Sequence, residues 1–181
     1  DQLPTQDGTT SNLGGGIEMQ DNKIYLAIGT SAVPNEHEIN KLAQDDNYKV
    51  GKILSIELYK ESKHYQFNNL KIIGKGTRNS QGLKFINSKL YGVEHGPQGG
   101  DEINIINTNP DKILNYGWPF FSYGVPYHNK SVYNLSDDKL SEKKFFDFSY
   151  NSYKEDYVAP YFYFTPSIAI SDIAGCPFGE T

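Results

Sequence analysis

Short strand-like runs separated by turn residues recur along this chain. Residues 50–58 carry Ile53, Ser55, Ile56 and Leu58 in near alternation and predict a strand. Residues 70–73, 83–86, 90–93 and 103–107 predict four more, at a spacing that suits an antiparallel meander. Residues 17–19 and 23–29 predict a strand pair closed by the turn Asp21-Asn22. Gly14 to Gly16 reads as a turn, and residues 157–164 as an aromatic strand. The polar stretch 31–49 is irregular, with a short helix predicted at 36–43. Residues 133–148 form a charged insertion ending in aromatics, and 1–12 read as a flexible tail. The pattern predicts an all-β domain over residues 13–181.

Composition sharpens this picture. Aromatics make up 14% of the 181 residues, with 14 Tyr and 10 Phe, which favours strands. The 17 Gly and nine Pro are spread as turn punctuation rather than gathered in one linker. A net charge of −5 argues against a nucleic-acid binder, which needs a basic face. No apolar run is long enough to span a membrane. Cys176 is the single cysteine, so the chain forms no internal disulfide and no zinc-type cluster. No leader-type segment stands at Asp1.

The chemistry concentrates in one loop. Glu94-His95-Gly96-Pro97-Gln98-Gly99-Gly100-Asp101-Glu102-Ile103-Asn104 joins two predicted strands. Gly and Pro let main-chain carbonyls face a ligand, and Asp and Glu supply hard oxygen ligands. The pattern suits calcium, or an anionic cofactor held by it. Asp101 and Glu102 are adjacent at a strand start, so alternation sends them to opposite faces and at most one addresses a given ion.

Three segments in order, Gly76 to Leu83, Glu94 to Asn104, and Asn115-Tyr116-Gly117-Trp118-Pro119, resemble the glucose/sorbosone dehydrogenase family. These are soluble aldose dehydrogenases that use pyrroloquinoline quinone (PQQ) and fold as six-bladed β-propellers. A blade takes about 40–50 residues, so this length supplies about three to four antiparallel four-stranded blades. The resemblance thus implies a partial propeller with open sheet edges, and a homo-oligomer that covers them. It implies that Arg78 and Asn79 contact PQQ, that His95 lies on the cofactor face, and that Tyr127 lies near it. Gly96 and Pro97 would offer carbonyls to the cofactor's calcium. Glu102 and the main chain of Tyr116 would bind a structural calcium, with Asp101 beside them. Trp118 reads as packing rather than a substrate platform.

The same resemblance locates a loss. The family's proton-accepting His precedes a Gly-Gly pair, where this chain reads Asn12-Leu13-Gly14-Gly15. Asn cannot take a proton near neutral pH, whereas a tuned His can. The Asp that closes the next strand in the family is Thr30 here. His37, His64 and His128 read as surface histidines. The expected function is PQQ- and calcium-dependent oxidation of a sugar C1 hydroxyl to a lactone, impaired by Asn12. The alternative is a non-catalytic, calcium-stabilised fragment or a carbohydrate- or protein-binding module. The implied compartment is periplasmic or extracellular.

Overall fold

The computed structural model describes residues 13–30, 42–96, 100–122, 125–126 and 157–176. The first sheet contains β1 (Ile17–Gln20), β2 (Lys23–Ile28), β3 (Lys52–Glu61) and β4 (His64–Lys75), paired antiparallel in chain order. The second contains β5 (Ser80–Ile86), β6 (Lys89–Glu94) and β7 (Asp101–Ile106). The short β8 (Leu114–Asn115) joins β4 in parallel, and β9 (Phe121–Ser122) pairs with β10 (Val125–Pro126). The last strand, β11 (Phe162–Phe164), lies antiparallel on β7 and completes a four-stranded second sheet. A five-stranded and a four-stranded sheet, two blades of a partial β-propeller, are thus in view among the described residues.

The turns follow from their residues. Asn87 and Ser88 both take positive φ (47° and 64°), the requirement of the two-residue turn whose twist matches the strands it joins. Asp21 does likewise between β1 and β2 (φ 54°), as expected for Asp21-Asn22. The core lies between the two sheets. Tyr25, Ala27, Ile53 and Ile73 from the first meet Leu83, Leu90 and Ile106 from the second, with Tyr116 beside them. Tyr25 and Phe85 meet edge to face across this seam, their ring centres 5.4 Å apart.

Three expectations change. The meander is not continuous: β4 stays with β3, and β5 opens the next blade. The chain breaks at Gly76, whose φ of +74° suits glycine and whose Cβ position lies 2.5 Å from the Asn115 side chain. Gly14 to Gly16 is no reversal but a lead-in to β1. Leu13 and Gly16 carbonyls accept from the Gly29 and Ala27 amides at 2.6 and 2.8 Å. The aromatic strand shrinks to Phe162–Phe164, because Pro160 has no amide proton to give a ladder and Tyr157 instead bridges in parallel to Asn115. The predicted tail at 1–12, the insertion at 133–148 and nearly all of the predicted helix lie outside the described residues.

Lys52, at the start of β3, is fully buried, yet satisfied. Its ammonium donates to the carbonyls of Leu42, Ala43 and Val50 at 2.8, 2.9 and 3.0 Å. It ties the segment before β3 to the first blade.

Candidate functional site

The register of β5 against β6 builds the site. Ser80 stands opposite Glu94, so residues just before β5 and just after β6 share one end of the second blade. There the His95 amide donates to the Asn79 carbonyl at 3.1 Å, and Arg78 Nη1 donates to the His95 carbonyl at 3.1 Å. Asn79 Nδ2 lies 3.4 Å from His95 Nδ1. The Arg78 guanidinium sits 5.3 Å from the centre of the Trp118 ring, a cation–π distance. Trp118 is otherwise buried, in keeping with a packing role. Arg78, Asn79, His95 and Gly96 are therefore one cluster, drawn from two strand ends about 16 residues apart.

The lead-in to β1 closes one side of this cluster. The Gly14 amide donates to Asn79 Oδ1 at 3.2 Å, and Gln81 Nε2 donates to the same oxygen at 2.7 Å. A Cβ on Gly14 would stand 2.4 Å from the Ser80 carbonyl oxygen, so the approach needs glycine. Thr30, fully buried, donates both its amide and its hydroxyl to the Arg78 carbonyl, at 2.7 and 3.1 Å. Where the family's Asp is expected, this chain thus carries a backbone clamp on Arg78. Asn12, Pro97 and Tyr127 lie outside the described residues.

The two acids at the start of β7 separate, as strand alternation requires. Asp101 takes four hydrogen bonds: Oδ1 from Ser167 Oγ (2.6 Å) and the Gly96 amide (3.2 Å), Oδ2 from the Ile168 and Ile170 amides (2.9 and 3.3 Å). Burial pushes its carboxyl up, but these bonds outweigh burial and hold it below the usual aspartate range. With its lone-pair sites filled, Asp101 is a fastener between Gly96, β7 and the 167–170 segment. Glu102 faces the other way. It stands in register with Glu94 across β6 and β7 and accepts from Asn104 Nδ2 at 3.1 Å.

Glu94 is the residue that the sequence reading passed over. Its carboxylate, buried within the sheet, accepts from the Arg78 amide (2.7 Å) and Ser80 Oγ (3.1 Å). Burial first, and then the Glu102 charge, push its pKa well above the usual glutamate value, against the Arg78 and Ser80 hydrogen bonds. The signal was present: Leu90, Gly92 and Glu94 share one parity in β6, so an acid falls where the strand buries its neighbours. Tyr116 is buried with its hydroxyl on the Ile105 carbonyl at 3.2 Å, which brings it alongside β7.

Two buried polar atoms here lack protein partners: His95 Nε2 and Asn104 Oδ1. Buried polar atoms without a protein partner are uncommon and leave room for a water, an ion or a ligand. Glu94, Glu102 and Asn104 Oδ1 are hard oxygens, the donor type calcium prefers, and a cation would relieve two buried carboxyls facing each other. The residues present fit calcium. No group of three His, Cys, Asp or Glu side chains converges among the described residues, so carbonyls and water would complete such a shell. Arg78 and Asn79 beside His95 likewise fit a carboxylate-bearing cofactor such as PQQ, because a planar guanidinium and an amide suit carboxylate oxygens.

Comparison with known proteins places the chain and its fold in one family. The sequence model of "Glucose / Sorbosone dehydrogenase" matches residues 1–177. This chain belongs to the glucose/sorbosone dehydrogenase family. It is 34% identical over 127 residues to aldose sugar dehydrogenase YliI of Escherichia coli, covering 66% of this chain and 32% of that protein. It is 35% identical over 117 residues to quinoprotein glucose dehydrogenase B of Acinetobacter calcoaceticus, covering 55% of this chain and 24% of that protein. The crystal structure of the soluble aldose sugar dehydrogenase of Escherichia coli in its apo form superposes with a TM-score of 0.57. That match has 24% identity over 88% of this chain and 42% of the other, and it shows the shared fold. The chain thus spans about a third of the first curated relative and under half of the matched structure. Among the described residues, no helix is long and apolar enough to cross a membrane.

Proposed function

We propose that this chain is the part of a PQQ- and calcium-dependent aldose dehydrogenase that carries the Arg78–Asn79 side of the cofactor site. The observation that supports it most is the convergence of Arg78, Asn79, His95 and Gly96 at one blade end, beside the buried Glu94–Glu102 pair. The related proteins named for aldose and glucose dehydrogenase activity support the substrate class. In the reaction, the sugar's C1 hydroxyl loses its proton and C1 loses a hydride, giving the lactone. PQQ, when bound, supplies the two-electron acceptor, and an external acceptor later removes those electrons.

The residues of this chain have separable tasks in that reading. Arg78 orients a cofactor carboxylate, held in place by Thr30 on its carbonyl and by Trp118 under its guanidinium. Asn79 offers its amide from a side chain pinned by Gly14 and Gln81. His95 Nε2, without a protein partner, is the polar atom left for the ligand. Glu102, with Glu94 beside it, holds calcium together with the main chain of Tyr116; Gly96 and Pro97 offer carbonyls to the cofactor's own calcium. No residue on this chain takes the sugar's proton in the family's manner, since Asn12 stands at the position of the base and Thr30 at that of its carboxylate. Turnover by this chain is therefore impaired. The compartment that fits is the periplasm or the cell exterior.

Calorimetric titration of PQQ into calcium-loaded protein, repeated after chelation, tests the reading. Calcium-dependent binding that Arg78→Ala weakens at least tenfold is the expected result; no binding in either state removes the dehydrogenase reading. Sugar oxidation at rates equal to a full-length relative would remove the claim of impairment.

Asn12 and Thr30 also favour a second reading: a calcium-stabilised, non-catalytic module that binds a saccharide or a protein. It predicts that calcium raises the melting temperature while PQQ does not bind, and that Arg78→Ala changes nothing.

A further inference from the structure

The hairpin of β3 and β4 outruns its sheet. β2 pairs with β3 only from Lys52 to Glu57, and β8 pairs with β4 only at Gly74 and Lys75. Beyond these limits the hairpin stands out into solvent, and every residue from Tyr59 to Lys71 is exposed. Tyr65 and Phe67 are 66% and 68% exposed, unusual for large aromatics on a stretch that no other described strand flanks. No proline and no lysine interrupts His64 to Asn68, so the edge lacks the usual protection against pairing.

We propose that this edge pairs antiparallel with the same edge of a second copy of this chain, about a twofold axis at Gln66. Glu61 and His64 flank a two-residue turn and face each other across the ladder, so the even residues of β4 bond inward to β3. The amides and carbonyls of Tyr65, Phe67 and Asn69 therefore point outward. The regular edge ends at Asn69, which has a φ of 49° and sits where three steps of β4 oppose two of β3, a bulge that bends the strand. His64 to Asn68 is what remains straight, and its midpoint is Gln66.

That axis chooses its own partners. Tyr65 falls opposite the second copy's Phe67, His64 opposite its Asn68, and Lys63 opposite its Asn69. Both aromatics gain a cross-strand aromatic neighbour, and no like charges meet. An axis moved one residue, to Phe67, would set Lys63 against Lys71 of the second copy and would run into the bulge. The charge pattern and the bulge thus exclude the Phe67 axis, and the Gln66 axis gives a closed dimer that sets the two aromatics against each other. Five residues a side is far below the roughly 20–30 of a standard interface, so the dimer is weak and concentration-dependent. This deepens the self-association expected of open sheet edges and does not depend on the dehydrogenase reading.

Sedimentation velocity on the full chain, from about 1 µM to about 500 µM, tests it. The expected result is a monomer–dimer equilibrium in which Phe67→Lys raises the dissociation constant at least tenfold while circular dichroism stays unchanged. In a Cys176→Ser background, which removes the exposed native thiol, Gln66→Cys should cross-link to itself under mild oxidation. A non-hydrogen-bonded antiparallel pair holds its Cα atoms about 4.5 Å apart, within disulfide range. Tyr65→Cys, which faces residue 67 rather than itself, should not. A monomer throughout the range overturns the proposal. So does a dimer unmoved by Phe67→Lys that cross-links equally at 65 and 66; if Tyr163→Lys breaks that dimer, the open face of the second blade holds it instead.

Discussion

Glu94 shows how a single residue sets the conditions of the site. Its carboxyl is held protonated to higher pH in the fold than in the open chain, by burial and by Glu102. The folded state then binds more protons than the unfolded one above the ordinary glutamate range, so stability falls as pH rises there. In chelated protein the melting temperature should drop on going from about pH 5 to about pH 8, and added calcium should restore it. Glu94→Gln should flatten that dependence without calcium, and scanning calorimetry across pH checks both. Lys52 is a second case. Lys52→Met should cost about 2 kcal/mol in urea unfolding, because three buried carbonyls lose their donor. Both residues are ionisable groups inside strands with buried neighbours. Their partners come from segments that no local pattern connects, which is why the strand pattern marks the positions and not the roles.

Among elements, the ends of the connection between β6 and β7 are tied down by Asp101. Asp101→Ala would leave the amides of Gly96, Ile168 and Ile170 without their acceptor. It should cost about 3 kcal/mol and speed hydrogen exchange at Ile168 and Ile170 well before global unfolding. The stability that Asp101 lends is complete above the ordinary aspartate range and fades as pH falls through its lowered pKa. The lead-in at Leu13 to Gly16 is equally constrained. Gly14→Ala should force this segment off the Ser80 carbonyl and loosen Asn79, so PQQ affinity should fall more than thermal stability does. Calorimetry of both quantities on one preparation separates the effects. The triple glycine signals a special backbone; only the packing of β1 against β5 shows that it is an approach and not a turn.

At the scale of the molecule, the chain is a partial propeller whose seam between two blades is well filled and whose outer faces are not. Tyr161, Phe162 and Tyr163 at one end and Ile17 and Met19 at the other are all at least half exposed. Such faces are of the kind that a further blade covers in a closed propeller. The site follows the same geometry, since the described residues place Arg78, Asn79 and His95 at one blade end and leave the opposite wall to other residues.

The sequence by itself determined the all-β class, most strand positions, the turn of the first hairpin and the loop where the chemistry gathers. Each of these is written in neighbouring residues: alternation, turn formers and acids within a few positions of one another. The tertiary structure alone decided where the meander divides into blades, which acid of the Asp101–Glu102 pair is a fastener, and that Glu94 faces Glu102. Those outcomes depend on strand register and on contacts between residues 16 to 70 positions apart, such as Arg78 with His95 and Asp101 with Ile170. Register is fixed when whole faces are buried together, so it belongs to the assembled sheets and not to any one segment.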